Sequence, residues 1–224
     1  MRCKEMKFSS NNHHFLEKNM FFCTNHLFLS IFSSSIMSKN IALFASGSGS
    51  NAENIIRYFT GNSDFSFPLI ISNNEKAFVH ERAKKLGVPS LTFPREDFID
   101  GGKILNLLQE KNIDAIVLSG FLLKIPDSII EAYPQKIVNI HPALLPKFGG
   151  KGMYGMKVHR AVLEAGEKET GITIHYVNSN YDEGDIIFQA KCPVLPDDTP
   201  ESVAQRVHAL EYEFFPRIIA EIWK

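Results

Sequence analysis

Short, uninterrupted apolar runs alternate with segments of helical periodicity from residue 41 onward. The first run, residues 41–45, is apolar at every position, which is typical of a parallel strand covered on both faces. Further strands are predicted at residues 68–72, 90–93, 114–118 and 137–140. Strands that alternate with helices pair in parallel through crossover connections. The sequence therefore predicts an α/β protein built on a doubly wound, mostly parallel sheet.

Helices are predicted between these strands, and glycine or proline marks where several of them end. They cover residues 52–59, 77–86, 103–110 and 127–132. No internal repeat or low-complexity run interrupts this order, so the alternation indicates one continuous domain.

The last third of the chain departs from the alternation. After a predicted helix at residues 156–165, residues 171–178 alternate in polarity like an antiparallel strand, and another strand follows at residues 186–190. An acidic turn joins these two strands, which predicts a C-terminal antiparallel hairpin. A capping pattern at residues 199–201 then begins a long terminal helix that runs towards residue 223.

Residues 1–36 differ in character from the rest of the chain. They contain clusters of Ser and Asn, an interrupted apolar patch and two of the three cysteines. A secretory signal is the alternative, but polar residues at 24–26 interrupt the patch and no small-residue cleavage site follows it. We expect translation to begin at Met37. Residues 1–36 would then be a disordered or untranslated extension, and residues 37–224 the folded domain.

The charge balance excludes several classes of partner. The formal net charge is −1, so the basic surplus of proteins that bind nucleic acid or anionic membranes is absent. Cys3, Cys23 and Cys192 match neither a zinc-ligand spacing nor a disulfide framework, which favours a reducing compartment. We therefore expect a cytoplasmic protein without nucleic-acid or membrane partners.

A glycine-rich turn, Ser-Gly-Ser-Gly-Ser-Asn at residues 46–51, links the first strand to the first helix. Glycines here let backbone N–H groups approach a phosphate at the positive end of the helix dipole. Gly47, Gly49 and Ala52 also fit the dinucleotide fingerprint, so a nicotinamide cofactor has to be considered. A tight strand–helix turn that binds nothing is the structural alternative.

The end of the second strand argues against a dinucleotide. The dinucleotide fold expects an acidic residue about 20 positions beyond the glycines, where it holds a ribose. The chain has Ser-Asn-Asn at residues 72–74 there, and Glu75 lies just beyond. A monophosphate ligand is therefore the favoured interpretation.

Asn139 and His141 mark the end of the fifth strand. Pro142 stops a helix at this point and biases His141 towards extended backbone. Alternate residues of a strand point to the same face, so the two side chains are predicted to converge at the carboxyl end of the strand. Open α/β sheets bind their ligands at this edge. A polar strand end that only satisfies loop backbone groups is the alternative interpretation.

The residue types near this strand end favour acyl transfer without a covalent nucleophile. No Ser or Cys stands in a nucleophile elbow, and the histidines lack the spacing of a metal motif, so no metal is expected. The turn at residues 179–185 could add a carboxylate, although such turns are often simply solvated. An amide and an imidazole can stabilise an oxyanion, and an acid can keep the imidazole protonated. This combination suits attack of an amine on an activated one-carbon carbonyl.

Five stretches carry a resemblance to a known family. They are residues 46–51, 118–121, 139–146, 171–173 through 182–184, and 211–216. On these motifs, which occur in family order from residue 39 to the end, the chain resembles the phosphoribosylglycinamide formyltransferase family. These are folate-dependent enzymes of purine synthesis with a Rossmann-like fold. Asn-x-His-Pro alone marks the wider superfamily, and the glycine-rich turn narrows the resemblance to this family.

The resemblance implies a catalytic trio of Asn139, His141 and Asp182. His141 would meet the oxyanion, helped by the Asn139 amide. Asp182 would favour the charged imidazole and help relay a proton from the attacking amine to the departing folate nitrogen.

The resemblance also implies the binding residues. Gly49, Ser50 and Asn51 would bind the substrate phosphate, and Glu211 the glycinamide end. The folate pocket would be lined by Leu122, Leu123, Lys124, Ile125, Asn139 and the turn at residues 178–182.

The implied reaction transfers the formyl group of 10-formyltetrahydrofolate, the co-substrate, to the amine of glycinamide ribonucleotide. Formylation of methionyl-tRNA and hydrolysis of formyl-folate are alternatives that share the site. A nicotinamide-dependent reductase and an inactive binding module represent other classes, but both leave the trio unexplained.

Two departures from the family pattern leave contacts open. Family members often place an arginine near the folate tail, whereas here Arg95 is only roughly in position and Asp97 is nearer the expected register. The loop at residues 149–155 is longer and richer in glycine than in familiar members.

Overall fold

A computed structural model of the chain describes residues 38–224, and the expectations for residues 1–36 lie outside that range. The described chain forms a seven-stranded sheet with helices on both faces. The strands are β1 (Lys39–Phe44), β2 (Phe65–Ser72), β3 (Ser90–Thr92), β4 (Ala115–Leu118), β5 (Ile137–His141), β6 (Glu169–Tyr176) and β7 (Ile186–Pro193). The helices are α1 (Ser50–Tyr58), α2 (Val79–Leu86), α3 (Asp97–Asp100), α4 (Gly102–Glu110), α5 (Asp127–Ala132), α6 (Met156–Glu164) and α7 (Pro200–Ile222).

The strand order is β3-β2-β1-β4-β5-β6-β7, which confirms the doubly wound sheet. Strands β1 to β5 pair in parallel, and β6 and β7 are antiparallel to their neighbours. The predicted C-terminal hairpin and long terminal helix are therefore also confirmed. The chain reverses its direction of travel across the sheet between β1 and β4. A doubly wound sheet opens a crevice for ligands at such a point.

Strand β1 is apolar from Ile41 to Phe44 because this part of it contributes to two cores. Ile41 and Leu43 face one hydrophobic cluster, which also contains buried residues of α1, α2 and α7. Ala42 and Phe44 face the other, which contains buried residues of α4 and α5. Since both faces of the strand are covered, a polar residue at any of these positions would be buried.

Helix α3 is the element that the sequence does not predict. It has four residues, Asp97–Asp100, and is separated from α4 only by Gly101 in a left-handed conformation. One turn of helix is too short to show a periodic apolar pattern, which needs about 11 residues or more.

Helix α7 contains a proline, Pro216, which leaves one helix carbonyl available for a bond to α1. Pro216 has no N–H to donate to the carbonyl of Tyr212, four residues earlier. The side-chain amide of Asn54 on α1 donates to that carbonyl instead, at 2.9 Å. This bond fixes the first helix of the described chain against the last. None of the helices within residues 38–224 combines the length and apolar character that a membrane crossing requires.

Candidate active site

A cleft of about 610 Å³ lies at the carboxyl ends of the parallel strands. Its walls come from the segments that follow β1, β4 and β5, together with parts of α6 and α7. This is the edge at which a doubly wound sheet binds its ligands. The cleft therefore occupies the place that the strand order predicts for a ligand site.

Asn139 and His141 both line this cleft, as their spacing on β5 predicts. The His141 side chain is almost fully buried, and its Nε2–H donates to the carbonyl of Phe148 at 2.8 Å. We infer the protonated Nε2 from this contact, since a carbonyl oxygen can only accept. The other ring nitrogen is thereby left facing the acidic turn.

Asp182 comes from the turn between β6 and β7 and completes the trio. Its carboxylate lies 3.5 Å from His141 Nδ1, and it accepts from Asn139 Nδ2 at 3.4 Å. It also accepts from the Gly150 N–H at 2.9 Å, which ties the glycine-rich loop to the turn. The structure therefore brings together the three side chains that the resemblance groups.

Burial and charge act in opposite directions on the trio. Burial lowers the pKa of His141 below its ordinary value, although the Asp182 charge and the Phe148 carbonyl act to raise it. Burial would raise the pKa of Asp182, but the interactions with His175, His141 and the Gly150 N–H outweigh it and leave this pKa below its ordinary value. Asp182 is therefore a carboxylate at neutral pH, and it is the main group that favours a proton on His141.

His175 is a member of the site that sequence analysis missed. It pairs with Asn139 in the β5–β6 register, and only 2% of it is exposed. Its Nδ1–H donates to the Tyr176 carbonyl at 2.8 Å, and its Nε2 lies 3.1 Å from Asn139 Nδ2 and 3.6 Å from Asp182 Oδ1. His175 thus contacts two members of the trio and helps to position the Asn139 amide. The alternation in polarity along β6 indicates which face of the sheet His175 occupies. Placing it opposite Asn139 also requires the register of the two strands, which the sequence does not give.

The glycine-rich turn forms the other end of the cleft. Gly49 precedes α1 at φ 70°, and no side chain caps this helix. Ser48, Gly49, Ser50 and Asn51 line the cleft. N–H groups at the positive end of a helix favour a bound anion, so this turn has the arrangement on which the prediction of a phosphate site rests.

Glu211 on α7 lies beside this turn. Only 5% of the residue is exposed, and its carboxylate accepts from Asn51 Nδ2 at 2.9 Å and from His208 Nδ1 at 2.8 Å. The bond to Glu211 raises the pKa of His208, although burial partly opposes it. A buried carboxylate is thus held at the cleft wall by two donors from different helices.

His159 on α6 is a further residue that lines the cleft. It is 3% exposed, and its Nδ1 has no hydrogen-bond partner among the described residues. Burial lowers its pKa, so the ring is held neutral. An unpaired acceptor nitrogen is less costly to bury than an unpaired N–H, which points to a proton on Nε2.

The predicted folate segment lines the cleft only in part. Leu122 and Leu123 line the cleft. Lys124 lies 3.4 Å from Asp127, and Ile125 is 2% exposed and packs in the core on the α4–α5 face of the sheet, so neither lines the cleft. The side chains of consecutive loop residues diverge, and a contiguous sequence segment cannot tell which of them turn inward.

The structure also shows where the two departures from the family pattern lie, which are the Arg95 region and the loop at residues 149–155. Arg95 lines the cleft, whereas Asp97 forms an ion pair with Lys103 at 2.6 Å. The glycine-rich loop lines the cleft from residue 150 to residue 155. A Cβ on Gly149 would lie 2.5 Å from a Leu145 methyl group and 3.3 Å from Asp182 Cβ, so the loop passes close to the trio.

Thr173 on β6 anchors the loop that follows β5. Its hydroxyl donates to the Ala143 carbonyl at 2.7 Å and accepts from the Leu145 N–H at 3.0 Å. It also accepts from Gln189 Nε2 at 2.8 Å. The residue is fully buried, so water cannot replace these bonds.

We expect Thr173→Val to lower the free energy of unfolding by about 2–4 kcal/mol, because it leaves buried polar groups without a partner at nearly constant volume. Urea unfolding of the variant and the wild type measures this difference. Thr60→Val is the matched control, since the Thr60 hydroxyl bonds only the Ile56 carbonyl at an exposed helix end. Equal midpoints for both variants would contradict the anchoring role.

Comparison with known proteins identifies the family. Residues 39–219 match the formyl transferase family. The phosphoribosylglycinamide formyltransferase of Bacillus subtilis is 36% identical over 189 residues, which cover 82% of this chain and 94% of that protein. The chloroplastic phosphoribosylglycinamide formyltransferase of Arabidopsis thaliana is 39% identical over 82% of this chain. The match spans 65% of that plant protein, just under two thirds of its length.

Solved structures agree with the sequence relatives. The phosphoribosylglycinamide formyltransferase of Streptococcus pneumoniae matches with a TM-score of 0.74 at 35% identity, over 83% of this chain and 99% of that one. The glycinamide ribonucleotide transformylase 1 of Geobacillus kaustophilus matches with a TM-score of 0.76 at 33% identity, over 84% and 100%. The chain therefore belongs to the formyl transferase family, within the group of the phosphoribosylglycinamide formyltransferases.

Proposed function

We propose that this protein transfers the formyl group of 10-formyltetrahydrofolate to the amine of glycinamide ribonucleotide. The products are formylglycinamide ribonucleotide and tetrahydrofolate, and the step belongs to de novo purine (IMP) biosynthesis. The observation that carries the proposal is the grouping of Asn139, His141 and Asp182 in the same cleft as an uncapped helix N-terminus. The trio suits acyl transfer to an amine, and the helix N-terminus suits an acceptor that carries a phosphate.

The ribonucleotide would lie between α1 and α7. Its phosphate would accept from the backbone N–H groups at Gly49, Ser50 and Asn51, where the helix dipole favours negative charge. Its glycinamide end would meet Glu211, which the bonds from Asn51 and His208 hold in place. A carboxylate at that point favours a substrate that presents N–H groups.

The folate would occupy the opposite side of the cleft. Leu122 and Leu123 offer apolar surface for its ring system, next to Asn139. Arg95 lines the same cleft and is the cation that we assign to the acidic tail of the folate. Lys124 and Ile125 would support this segment without contact to the ligand, because they lie outside the cleft lining.

In the chemical step, the substrate amine attacks the formyl carbon and a C–N bond forms. The electron pair of the carbonyl moves to oxygen, where His141 and Asn139 would stabilise it. His141 Nε2–H now donates to the Phe148 carbonyl, so the formyl oxygen would take the place of that carbonyl as the acceptor. The Asn139 bond to Asp182 is long at 3.4 Å, and that N–H is the one that we assign to the oxyanion.

The intermediate then collapses. The oxyanion returns its electron pair, the bond from carbon to the folate nitrogen breaks, and the nitrogen takes up a proton. The amine loses one proton in the same step, so the charges balance. Asp182 is an anion next to both ring and amide, and we assign it the transfer of this proton from amine to folate.

The experiment that tests the function compares acceptors. Purified protein is mixed with formyl-folate and offered glycinamide ribonucleotide, methionyl-tRNA or water alone, and release of tetrahydrofolate is followed. We expect turnover with the ribonucleotide that exceeds both other rates by at least a hundredfold. Faster turnover with methionyl-tRNA or water would replace this proposal by one of the two alternatives that share the site.

Two remaining expectations belong with this proposal. The location is proposed to be the cytoplasm, on the ground of the cysteine pattern, and two of the relatives are chloroplastic proteins. No metal is assigned a role, and within residues 38–224 no group of three His, Cys, Asp or Glu side chains is arranged to hold one.

A further inference from the structure

Helix α2 holds two carbonyl groups of the glycine-rich turn. The N–H of Val79, the first residue of α2, donates to the Gly47 carbonyl at 3.1 Å. One turn further along, Arg82 Nε–H donates to the Ser48 carbonyl at 2.9 Å. The carbonyls of Gly47 and Ser48 are therefore both directed towards α2.

This arrangement sets the direction of the neighbouring N–H groups. In a trans peptide the C=O of one residue and the N–H of the next point in opposite directions. With the carbonyls of Gly47 and Ser48 bonded to α2, the N–H groups of Ser48 and Gly49 point away from α2. Ser48 and Gly49 line the cleft on the side where the phosphate is proposed to bind.

Gly49 allows the close approach on which these bonds depend. A Cβ at Gly49 would lie 2.4 Å from a Val79 methyl group and 2.9 Å from Val79 Cα. Contacts of this length do not occur between real side chains, and a positive φ is unfavourable for other residues. The backbone of the turn at Gly49 therefore packs directly against Val79 of α2, which leaves no room for a side chain at residue 49.

Arg82 is itself held in one orientation by its surroundings. Its guanidinium forms an ion pair with Glu53 on α1 and lies over the Phe78 ring at 5.0 Å. Glu53 also pairs with Arg57 at 2.8 Å, and hydrogen bonds from Arg57 and Arg82 lower its pKa below the ordinary value. One arginine thus joins α2, the carbonyl of the turn and the first turn of α1.

We propose that Arg82 is a positioning residue for the phosphate of the ribonucleotide: it fixes the Ser48 peptide plane so that the Gly49 N–H faces the phosphate. Arg82 is absent from the cleft lining, so it acts through the backbone and does not touch the substrate. The inference deepens the proposed function and rests on it for the identity of the substrate. Binding of a sugar phosphate tests it without any formyl transfer.

The experiment compares Arg82→Met with the wild type. Calorimetry with ribose 5-phosphate measures phosphate binding directly, and steady-state kinetics give KM and kcat for glycinamide ribonucleotide and for the riboside that lacks the phosphate. We expect at least tenfold weaker binding of ribose 5-phosphate and a similar rise in KM for the ribonucleotide. We expect kcat and the KM for the riboside to stay within about twofold, because the riboside has no phosphate for the turn to bind.

Lys85→Met is the matched control, because it removes a cation of α2 that also lies near the Phe78 ring, at 5.9 Å, but bonds no part of the turn. We expect it to behave as the wild type. Arg82→Lys, which keeps the charge and a donor, should recover part of the lost affinity.

Unchanged affinity of folded Arg82→Met for ribose 5-phosphate would overturn the proposal. An equal loss with the riboside would also overturn it, since that result indicates a general packing defect. Absence of formyl transfer in the wild type would count against the proposed function alone, because the calorimetric comparison still decides the role of Arg82.

Discussion

Replacing His141 with alanine is expected to lower kcat at least a hundredfold while the domain stays folded. His141 offers the ring N–H that we assign to the oxyanion, and removal of one such donor typically costs roughly 10²–10³ in rate. The structural loss is smaller. The side chain bonds the Phe148 carbonyl and faces Asp182, which keeps its bonds from Gly150 and Asn139.

The measurement is kcat for glycinamide ribonucleotide, taken together with the thermal midpoint. His80→Ala is the matched control, since His80 on α2 bonds Ser90 and the Asn74 carbonyl outside the cleft. It removes an imidazole of the same kind without touching the site. A folded His141→Ala protein with near-normal kcat would refute both the oxyanion assignment and the mechanism.

Asp182→Asn is expected to lower turnover. It should also shift the loss of activity that occurs with rising pH to a lower pH. The Asp182 charge acts to raise the pKa of His141 against the effect of burial. Without that charge, the pKa of His141 falls further below its ordinary value. A group that works in its protonated form loses its effect as the pH rises through its pKa, so the loss would begin at lower pH.

The substitution should also change how stability depends on pH. Because the folded-state pKa of Asp182 lies below its ordinary value, its charged form stabilises the fold above the unfolded-state pKa. This contribution is lost as the pH falls through the folded-state pKa, so the wild type should lose stability in acid more steeply than the variant.

The pH–rate profile of Asp182→Asn, measured beside Glu183→Gln, tests these expectations. Glu183 is an exposed carboxylate of the same turn and accepts from Asn180 Nδ2, a bond that glutamine can keep. Its variant should retain the wild-type profile. A normal rate and an unshifted profile in Asp182→Asn would show that Asp182 only closes the turn.

The fold could be predicted from the sequence because local pattern and global topology agree. The apolar run of β1 predicts burial on both faces of the strand, as observed. The alternation of strands and helices leaves few arrangements other than a doubly wound sheet. The grouping of Asn139 with His141 follows from the pleat of a single strand. These inferences need only neighbours in sequence.

The rest of the site depends on contacts between distant elements. The acidic turn was visible, but only the family resemblance singled out Asp182. The pairing of Asn139 with His175 depends on the register of β5 and β6, and the bond between Asn51 and Glu211 joins residues 160 positions apart. No periodicity carries such information, because packing of α7 against α1 sets it.

The bond between Asn51 and Glu211 makes the end of the cleft where we propose the ribonucleotide to bind a junction between α1 and α7, and the bond from Asn54 to Tyr212 joins the same two helices. A ligand seated there binds only when both ends of the domain are in place, so its binding energy opposes global unfolding. At a concentration of 100 Kd the stabilisation is about 2.7 kcal/mol. For a domain of this size each kcal/mol moves Tm by roughly 2–4 °C. The melting temperature alone can therefore rank nucleotides, their analogues and folate-free fragments by affinity, before any transfer assay exists.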